Sequence, residues 1–366
     1  LKWELGPYDT CFIHVTLLPY ISAAGEMKTK PTQHSVKSLR SIGIQPDVIV
    51  CRTEKRIPEE AKDKIAMFCN VKSSNVVQNA DCSSIYEVPL LLEKEGFGDI
   101  VCDVLHMDKR SADLSDWAQM VDLMHHPSKT LKIALVGKYV ELHDAYLSVT
   151  EAIRHAGISQ QCAIDLSWIL SDDLKDENID KLHDFDGILV PGGYGDRGTE
   201  GIILATQYAR EHHIPCLMIG YGMQLAVVEA VRHLLDKPFA NTTEVRHDCN
   251  PVVVAIPSDR IGANDSRQNT RQGGFDIRLL PGRLQTIYGK DLIRERHGNR
   301  YEVEPSFIES LNAKGISFTA FCTEKDYPEG FEMNDHPFYI GVIYHPEYLS
   351  RPNHPHPLFC AFVKAC

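Results

Sequence analysis

A histidine and a glutamate stand two positions apart near the end of the chain, in the pentapeptide YHPEY at 344–348. In an extended segment, side chains two residues apart point to the same side. Glu347 would then orient the imidazole of His345, and His345 could act as a general base. The alternative is that His-Pro-Glu forms only a turn, and the pattern by itself leaves both interpretations open.

A second stretch has the form of a catalytic turn without a nucleophile. The apolar run Cys216–Ile219 leads through Gly220 and Tyr221 into a helical pattern. In α/β enzymes this strand–turn–helix arrangement exposes a Cys or Ser on a sharp elbow. Gly220 occupies the position where that residue is expected, and no thioester can form without a thiolate. Cys216 is no substitute, because it lies upstream on a strand that we expect to be buried.

The hexapeptide GYGDRG at 193–198 follows another apolar run and matches the GxGxxG pattern. As a dinucleotide fingerprint it would need an acidic residue at the end of the next strand. The next strand ends at Gly220 without one, which counts against nucleotide binding here. The other interpretation is that Gly192 and Gly193 present a backbone N–H group to a developing oxyanion.

A basic segment, GEMKTKPTQ at 25–33, is predicted to form a loop that leaves a strand. Its Lys28 and Lys30, together with hydroxyl groups and the amide of Gln33, have the donors to seat a phosphate in this acidic chain. The alternative is a solvated charged loop. The paired histidines elsewhere in the chain lack Cys or carboxylate partners at ligand spacing, so no metal site is predicted.

The elements that must position these residues alternate between short apolar runs and amphipathic helices. This alternation predicts an α/β fold with a mostly parallel sheet covered by helices on both faces. Gly43 and Gly157 are the expected caps of two helices. A polar segment at 106–130, with a helix around Trp117, is expected to link two domains, and residues 257–275 are expected to form a loop.

Composition limits the classes of protein to consider. The 366 residues include 38 Lys and Arg against 50 Asp and Glu, and the resulting net charge of −12 argues against bulk nucleic-acid binding. No apolar run approaches a membrane span of roughly 18 residues, and the N-terminus lacks the plan of a secretory signal. Eleven Cys, never in a CxxC, are typical of reduced thiols in a cytoplasmic protein.

Taken in order, several segments resemble the CTP synthase family over almost the whole chain. LLPYISAAGEMKTKPTQHSVKSLRSIGIQPDVIVCR is similar to the end of that family's synthetase domain. VGKYVELHDAYLSVTEAIRHAG, VPGGYGDRGTEG, NTTE, ERHGNRYEV and YHPEYLSRP are similar to its glutamine amidotransferase domain. The resemblance implies an α/β remnant of the synthetase domain at 1–105, a linker at 106–130 and a flavodoxin-like class I glutamine amidotransferase domain at 131–366.

In that family a Cys-His-Glu triad hydrolyses glutamine, and the ammonia converts ATP-activated UTP to CTP in the synthetase domain. The resemblance places His345 and Glu347 at the base and orienting positions of the triad. Arg300 then suits the α-carboxylate of glutamine and Glu244 its α-ammonium group. The implied glutamine site comprises Gly193, Tyr221, Gln224, Glu244 and Arg300, and the implied UTP or CTP triphosphate site comprises Lys28, Lys30, Gln33 and Lys64.

The chain departs from the family pattern around one pocket. The family elbow reads Gly-Ile-Cys-Leu-Gly-Met-Gln, whereas this chain has Met218 at the first position, Gly220 in place of Cys and Tyr221 in place of Leu. The family's Arg-His-Arg-His-Arg-Tyr-Glu is here RHGNRYE, which introduces Gly298 and Asn299. A Gly-Gly-Thr-Met-Arg-Leu segment has become GGFDIRL. These changes predict a relaxed or remodelled site without glutaminase activity.

The family's phosphate-binding Gly-rich loop and acidic Mg²⁺ ligands have no counterpart in this sequence. We therefore expect no cofactor in this chain, although the intact family uses ATP and Mg²⁺. We expect an inactive CTP synthase-like protein of pyrimidine nucleotide synthesis that opens inside the synthetase domain, with an exposed sheet edge. UTP or CTP and glutamine are the expected ligands, in a homo-oligomer or a complex with an intact CTP synthase. The alternative is a non-enzymatic pseudoenzyme, or a nucleotide-binding assembly partner of an intact CTP synthase.

Overall fold

The computed structural model describes residues 1–260 and 270–366. These residues divide into two compact units, Leu1–Val121 and Asp122–Cys366. The helix expected around Trp117 runs from Ser115 to His125. Strands and helices alternate in both units, which confirms the predicted α/β class.

The first unit contains a small parallel sheet with the strand order β1-β4-β5. A short antiparallel pair, β2 with β3, precedes its second helix. The strands are β1 (Ile13–Leu17), β2 (Tyr20–Ile21), β3 (Glu26–Met27), β4 (Val48–Thr53) and β5 (Val76–Ala80). The helices are α1 (Lys2–Leu5), α2 (Thr29–Ser41), α3 (Glu59–Cys69), α4 (Val88–Lys94) and α5 (Phe97–Val104), and α6 (Ser115–His125) begins in this unit and ends in the second.

The central strand of this sheet and its edge strand β1 differ in how far they are buried. Strand β4 is almost fully buried, as expected for a central strand with both faces covered. Strand β1 lies at an edge of the sheet. Its alternate residues Ile13, Val15 and Leu17 are 41%, 58% and 62% exposed, so one apolar face of β1 is open to solvent.

The second unit is built on a larger sheet with the strand order β13-β12-β15-β16-β17-β9-β8-β6-β7, beside a small sheet of β10, β11 and β14. Its strands are β6 (Lys129–Gly137), β7 (Cys162–Leu170), β8 (Gly187–Val190), β9 (Cys216–Ile219), β10 (Asn241–Thr242), β11 (Val252–Ala255), β12 (Arg271–Leu279), β13 (Leu292–Asn299), β14 (Glu302–Val303), β15 (Ile316–Cys322), β16 (Pro328–Met333) and β17 (Tyr339–Val342). Its helices are α7 (Leu147–Ser159), α8 (Thr199–Glu211), α9 (Tyr221–Leu234), α10 (Arg283–Tyr288), α11 (Ile308–Asn312) and α12 (Pro357–Ala365).

The part of the large sheet that carries the predicted site is parallel. Strands β17, β9, β8, β6 and β7 pair in parallel, and β16, β15, β12 and β13 extend the sheet in antiparallel fashion. The carboxyl ends of parallel strands meet at one edge of a sheet, where α/β folds place their sites. The loops after β6, β8, β9 and β17 therefore converge.

Glycines set two of the close contacts in this unit. A Cβ atom on Gly222 would lie 2.7 Å from the carbonyl oxygen of Val190, so α9 can pack this closely on β8 only with glycine at 222. The sequence predicted that Gly157 caps its helix, and this prediction was wrong. Helix α7 continues to Ser159, and a Cβ on Gly157 would lie 2.8 Å from the carbonyl oxygen of Cys162.

The loop predicted at 257–275 is only partly a loop. Residues 261–269 lie outside the described residues. Residues 271–275 belong to strand β12, which pairs with β13 on one side, so the prediction was wrong for this part. None of the helices in the described ranges combines the length and apolar content that a membrane crossing demands.

Candidate active site

The predicted elbow is present, and its backbone has the conformation that an exposed nucleophile needs. Gly220 links β9 directly to α9 with φ 57° and ψ −113°. This φ lies in the left-handed region, which favours glycine. A Cβ at this position would lie 3.3 Å from Cε1 and 3.5 Å from Nε2 of His345. The missing side chain would therefore have pointed at the predicted base.

His345 and Glu347 form a hydrogen-bonded dyad. Their Nδ1 and Oε1 atoms are 2.8 Å apart, and Glu347 is buried. The segment is not extended: His345 has φ −110° and ψ 83°, and Pro346–Leu349 forms a 3₁₀ turn. The backbone N–H of His345 donates to the carbonyl oxygen of Arg296 at 2.8 Å. With Nδ1 occupied by Glu347, Nε2 is the nitrogen that faces the elbow.

A cavity of about 320 Å³, called here the elbow cavity, lies between the elbow, the loop after β8 and the end of β13. It is large enough for a small amino acid. The structure brings to its wall all of the residues that the sequence predicted for glutamine, namely Gly193, Tyr221, Gln224, Glu244 and Arg300, together with Gly220 and His345.

Two polar residues of this wall are already fixed by the protein. The Oε1 atom of Glu244 accepts a hydrogen bond of 2.8 Å from the backbone N–H of Gly195. Burial raises the pKa of Glu244, while that hydrogen bond and the positive charges of Lys138 and Arg300 act in the opposite direction. The side chain of Gln224 donates to the carbonyl oxygen of Tyr301 at 2.9 Å. These contacts hold both side chains in place before any ligand arrives.

Lys138 is a site residue that the sequence reasoning missed. It follows β6, is buried, and donates to the carbonyl oxygens of Tyr194 and Gly195. Its Nζ atom lies 4.7 Å from the centre of the Tyr221 ring. Burial lowers the pKa of Lys138, and the charge of Glu244 opposes that shift. A lysine directly after the apolar end of a strand, residues 133–137, was the available signal, because sites form at that edge.

The substituted residue Tyr221 ties the elbow to the glycine-rich loop. Its hydroxyl donates to the carbonyl oxygen of Gly195 at 2.6 Å and lies 3.2 Å from Oγ1 of Thr199. Its ring is buried. A leucine could make neither polar contact, so this substitution adds bonds to the loop.

The wall formed by the end of β13 carries the other changes. Gly298 and Asn299 line the elbow cavity, as the altered motif predicted. Phe275 does not line either cavity beside His345; its ring packs edge-on against His297 at 5.2 Å. The changes at 298 and 299 therefore alter the cavity directly, whereas Phe275 lies behind its wall.

A buried network of charges supports this wall. The side-chain nitrogen of Asn299 donates to Glu302 at 2.9 Å. Arg271 contacts Glu302 at 3.3 Å and Glu329 at 2.6 Å. Glu329 also contacts Nε2 of His297 at 2.6 Å. All five side chains are buried, so each charge depends on the others for compensation.

A second cavity of about 570 Å³, called here the outer cavity, reaches the other side of His345. Both cavities touch Gly192, Gly193, Tyr194 and Gly298 as well as His345. A Cβ on Gly298 would already lie 3.8 Å from Nε2 of His345. The absence of a side chain at 298 thus leaves the imidazole accessible from this side.

The predicted phosphate site in the first unit has a different local structure from the one expected. Lys28 is the residue before α2, so Lys30 lies in the first turn of a helix, Gln33 follows in the second turn, and neither lies in a loop. Gln33 donates to Oγ1 of Thr29 at 3.1 Å. Lys28 pairs with Glu26.

Lys64 lies on α3 and belongs to the same region of the first unit. The hydrogen bond from Lys28 lowers the pKa of Glu26, and the charges of Lys28 and Lys64 add to this effect. Lys28, Lys30, Gln33 and Lys64 are called here the lysine cluster. Glu26 supplies the negative charge that pairs with this cluster, through Lys28.

Cys216 and metal binding are the two remaining site predictions. Cys216 is completely buried on β9, and burial raises the pKa of its thiol, so it cannot replace the missing nucleophile. Within residues 1–260 and 270–366, no group of three or more His, Cys, Asp or Glu side chains is arranged to hold a metal ion.

The chain matches two family models. Residues 1–107 match the CTP synthase N-terminus, and residues 141–365 match glutamine amidotransferase class-I. A CTP synthase of Symbiobacterium thermophilum is 48% identical over 98% of this chain and 67% of its own length. A CTP synthase of Clostridium kluyveri is 45% identical over 100% of this chain and 68% of its own length.

A solved structure gives the same result for the second unit. The glutaminase domain of Trypanosoma brucei CTPS, with bound acivicin, is 31% identical and has a TM-score of 0.61. The match covers 64% of this chain and 93% of that domain. These matches confirm the predicted resemblance and the amidotransferase fold. This chain belongs to the CTP synthase family.

Proposed function

We propose that this chain serves pyrimidine nucleotide synthesis as a CTP synthase-family protein that binds glutamine without hydrolysing it. The observation that carries the proposal is the elbow. Gly220 has the backbone conformation of a nucleophile position and faces His345, but it supplies no attacking atom. In a triad hydrolase the loss of the nucleophile lowers turnover by about 10⁶-fold.

Glutamine binding is supported by the fixed polar groups of the elbow cavity. Arg300 and Glu244 carry opposite charges on its wall, which suits the zwitterionic end of an amino acid. Glu244 is held by Gly195, and Gln224 is held by Tyr301. A pocket that is fixed before binding loses less entropy when the ligand enters.

The lysine cluster is the proposed site for the triphosphate of UTP or CTP. The residues described here do not provide a fitting site for ATP with Mg²⁺. The sequence has no GxxxxGK[ST] loop, and the described residues hold no group of acidic side chains arranged around a cation. We therefore derive no ATP-dependent step from this chain.

The test measures glutamine binding and hydrolysis separately on the purified chain. Calorimetry should show glutamine binding that Glu244→Gln weakens, and enzyme-coupled detection should show no glutamate release above buffer. Lys237→Met, at an exposed lysine outside the cavity, is the matched surface control. Release of glutamate by the unaltered chain would overturn the proposal, and so would the absence of any glutamine binding.

A second candidate function is that of a pseudoenzyme partner that assembles with an intact CTP synthase or another copy of itself. The exposed apolar residues Ile13, Val15 and Leu17 of edge strand β1 favour it. Such an edge offers unpaired backbone groups and apolar side chains to a neighbour. Sedimentation of the chain alone and mixed with an intact CTP synthase tests this: Val15→Lys should abolish the complex, and a chain that is monomeric in both conditions argues against it.

A further inference from the structure

The dyad remains assembled although the residue that it would activate is glycine. Glu347 engages Nδ1 of His345, which leaves Nε2 as the free nitrogen beside the elbow. A Cβ at 220 would lie 3.5 Å from that nitrogen, so glycine leaves there a space the size of at least one heavy atom. A water molecule takes up about 30 Å³, and the adjoining elbow cavity of about 320 Å³ can hold one beside a small ligand.

Solvent can reach the same nitrogen from a second direction. The outer cavity touches His345, Glu347 and Gly298. A side chain at 298 would begin 3.8 Å from Nε2, and glycine removes that obstruction. A ligand in the elbow cavity therefore need not block the approach of water to His345.

The groups that would stabilise negative charge are also present. The backbone N–H of Tyr221 is the first of helix α9 and has no partner within the helix. The loop that carries Gly193 lies across the elbow cavity and is fixed by Tyr221, Lys138 and Glu244 through Gly195. Backbone N–H groups at such positions can receive a developing oxyanion.

We propose that the chain hydrolyses activated γ-glutamyl esters and thioesters directly with water, using His345 as the general base. This activity goes beyond the proposed function, in which the amide of glutamine is bound and left intact. An amine leaves a tetrahedral intermediate only after it has been protonated, whereas a thiolate leaves readily. Water can therefore succeed with a thioester at a site where it fails with an amide.

The reaction balances without any other reactant. The water oxygen forms a bond to the γ-carbonyl carbon while Nε2 of His345 takes one of its protons, and the carbonyl electron pair moves to oxygen. When the carbonyl re-forms, the C–S bond breaks and its electron pair leaves with sulfur. The thiolate receives the proton from His345. The products are glutamate and a free thiol, and the enzyme returns to its starting state.

The expected rate enhancement is modest. Oxyanion stabilisation and binding without a triad leave about 10³- to 10⁴-fold over water in a well-studied protease. A positioned general base contributes about 10²- to 10⁴-fold. Because the two contributions multiply, we expect the chain to accelerate thioester hydrolysis by about 10⁵-fold over buffer, the product of the two lower values, and His345→Gln to remove about 10²-fold of this.

The experiment uses the S-methyl γ-thioester of L-glutamate and follows thiol release by the full chain. His345→Gln should lower the rate by about 10²-fold, because the general base is removed. His354→Gln, at an exposed histidine outside both cavities, should leave the rate unchanged. Gly298→Leu should lower it by closing the outer approach. Glutamine binding by His345→Gln, measured by calorimetry, separates a specific effect from a folding defect.

Two outcomes would overturn the inference: a rate equal to buffer, or a rate that His345→Gln leaves unchanged. Glutamine is assayed in parallel with the same preparations. Glutamate formed from glutamine would refute the proposed function, whereas an inert thioester with glutamine bound and intact refutes this inference alone.

Discussion

The elbow cavity and the lysine cluster are both built from polar side chains, but the protein holds them in opposite ways. Around the elbow, Glu244, Gln224 and Lys138 are each fixed by hydrogen bonds to backbone groups. In the lysine cluster, Lys30 and Lys64 are exposed, and Lys28 pairs with the nearby Glu26. The fold therefore fixes the side chains of the elbow cavity, whereas the side chains of the lysine cluster are positioned by the anion that binds them.

This difference explains how the elbow cavity can keep its geometry with glycine at position 220. The contacts that shape the elbow cavity serve the packing of the second unit, because they join β8, α9 and β13 to one another. They remain when the nucleophile is gone. The exposed lysines of the cluster do not contribute to packing in this way. Their positions therefore matter only for ligand binding.

The largest effect is expected when a thiol is returned to the elbow, and this variant tests whether the elbow cavity has kept its geometry. Gly220→Cys would place its Cβ 3.5 Å from Nε2 of His345. If the geometry is intact, glutamine hydrolysis should rise by about 10⁴-fold, short of the roughly 10⁶-fold that a nucleophile contributes. A shortfall is expected because a misplacement of about 1 Å can lower the rate about a hundredfold. Glutamate release provides the measurement.

The matched control for this variant is Gly220→Ala, which adds the Cβ without the thiol and should remain inert towards glutamine. A second control, Gly220→Cys combined with His345→Gln, should lose most of the recovered activity. An inert Gly220→Cys chain that still binds glutamine would show that the dyad and the elbow are no longer in productive register.

The second prediction concerns the buried charges behind the cavity wall. Arg271→Met removes the arginine that both Glu329 and Glu302 contact, and leaves His297 with Glu329 and Arg260 with Glu302. Breaking a buried ion pair in this way lowers the free energy of unfolding by about 3–5 kcal/mol. Urea unfolding of the chain measures the change.

Arg278 supplies the matched control on the same strand. Its pair with Asp326 is half-exposed or more on both sides, at 50% and 76%. Arg278→Met should therefore change the free energy of unfolding by about 1 kcal/mol or less. Equal effects of the two substitutions would show that the network does not hold the wall, and the contrast drawn above would fail.

The smallest effect is expected in the lysine cluster. Exposed ion pairs contribute about 0.2–1 kcal/mol each, so Lys28→Ala with Lys30→Ala should weaken CTP or UTP binding by about two- to thirtyfold. The loss should shrink as salt is added. Calorimetry measures the affinity, and Lys37→Ala on the same helix should have no effect. Equal affinity in the double variant would remove the cluster from the nucleotide site.

The sequence was sufficient for those parts of the site that depend on local patterns. A buried strand followed by Gly220 predicted the elbow, and the spacing of His345 and Glu347 predicted the dyad. It was not sufficient for contacts between distant loops. The bonds from Lys138 and Tyr221 to Gly195 depend on how the loops after β6, β8 and β9 converge. Gly157 was misread as a cap, because its contact with Cys162 lies beyond the end of its own helix.

The backbone at residue 220 also bears on how such a chain can evolve. A side chain held in so sparsely populated a conformation costs about 1–3 kcal/mol. Glycine at φ 57° escapes that strain, so the fold gains stability when the nucleophile is lost. Once selection on glutamine hydrolysis is relaxed, stability alone would keep glycine in place. The loss is then hard to reverse, because a return to cysteine would lower the stability of the fold before it restored any activity.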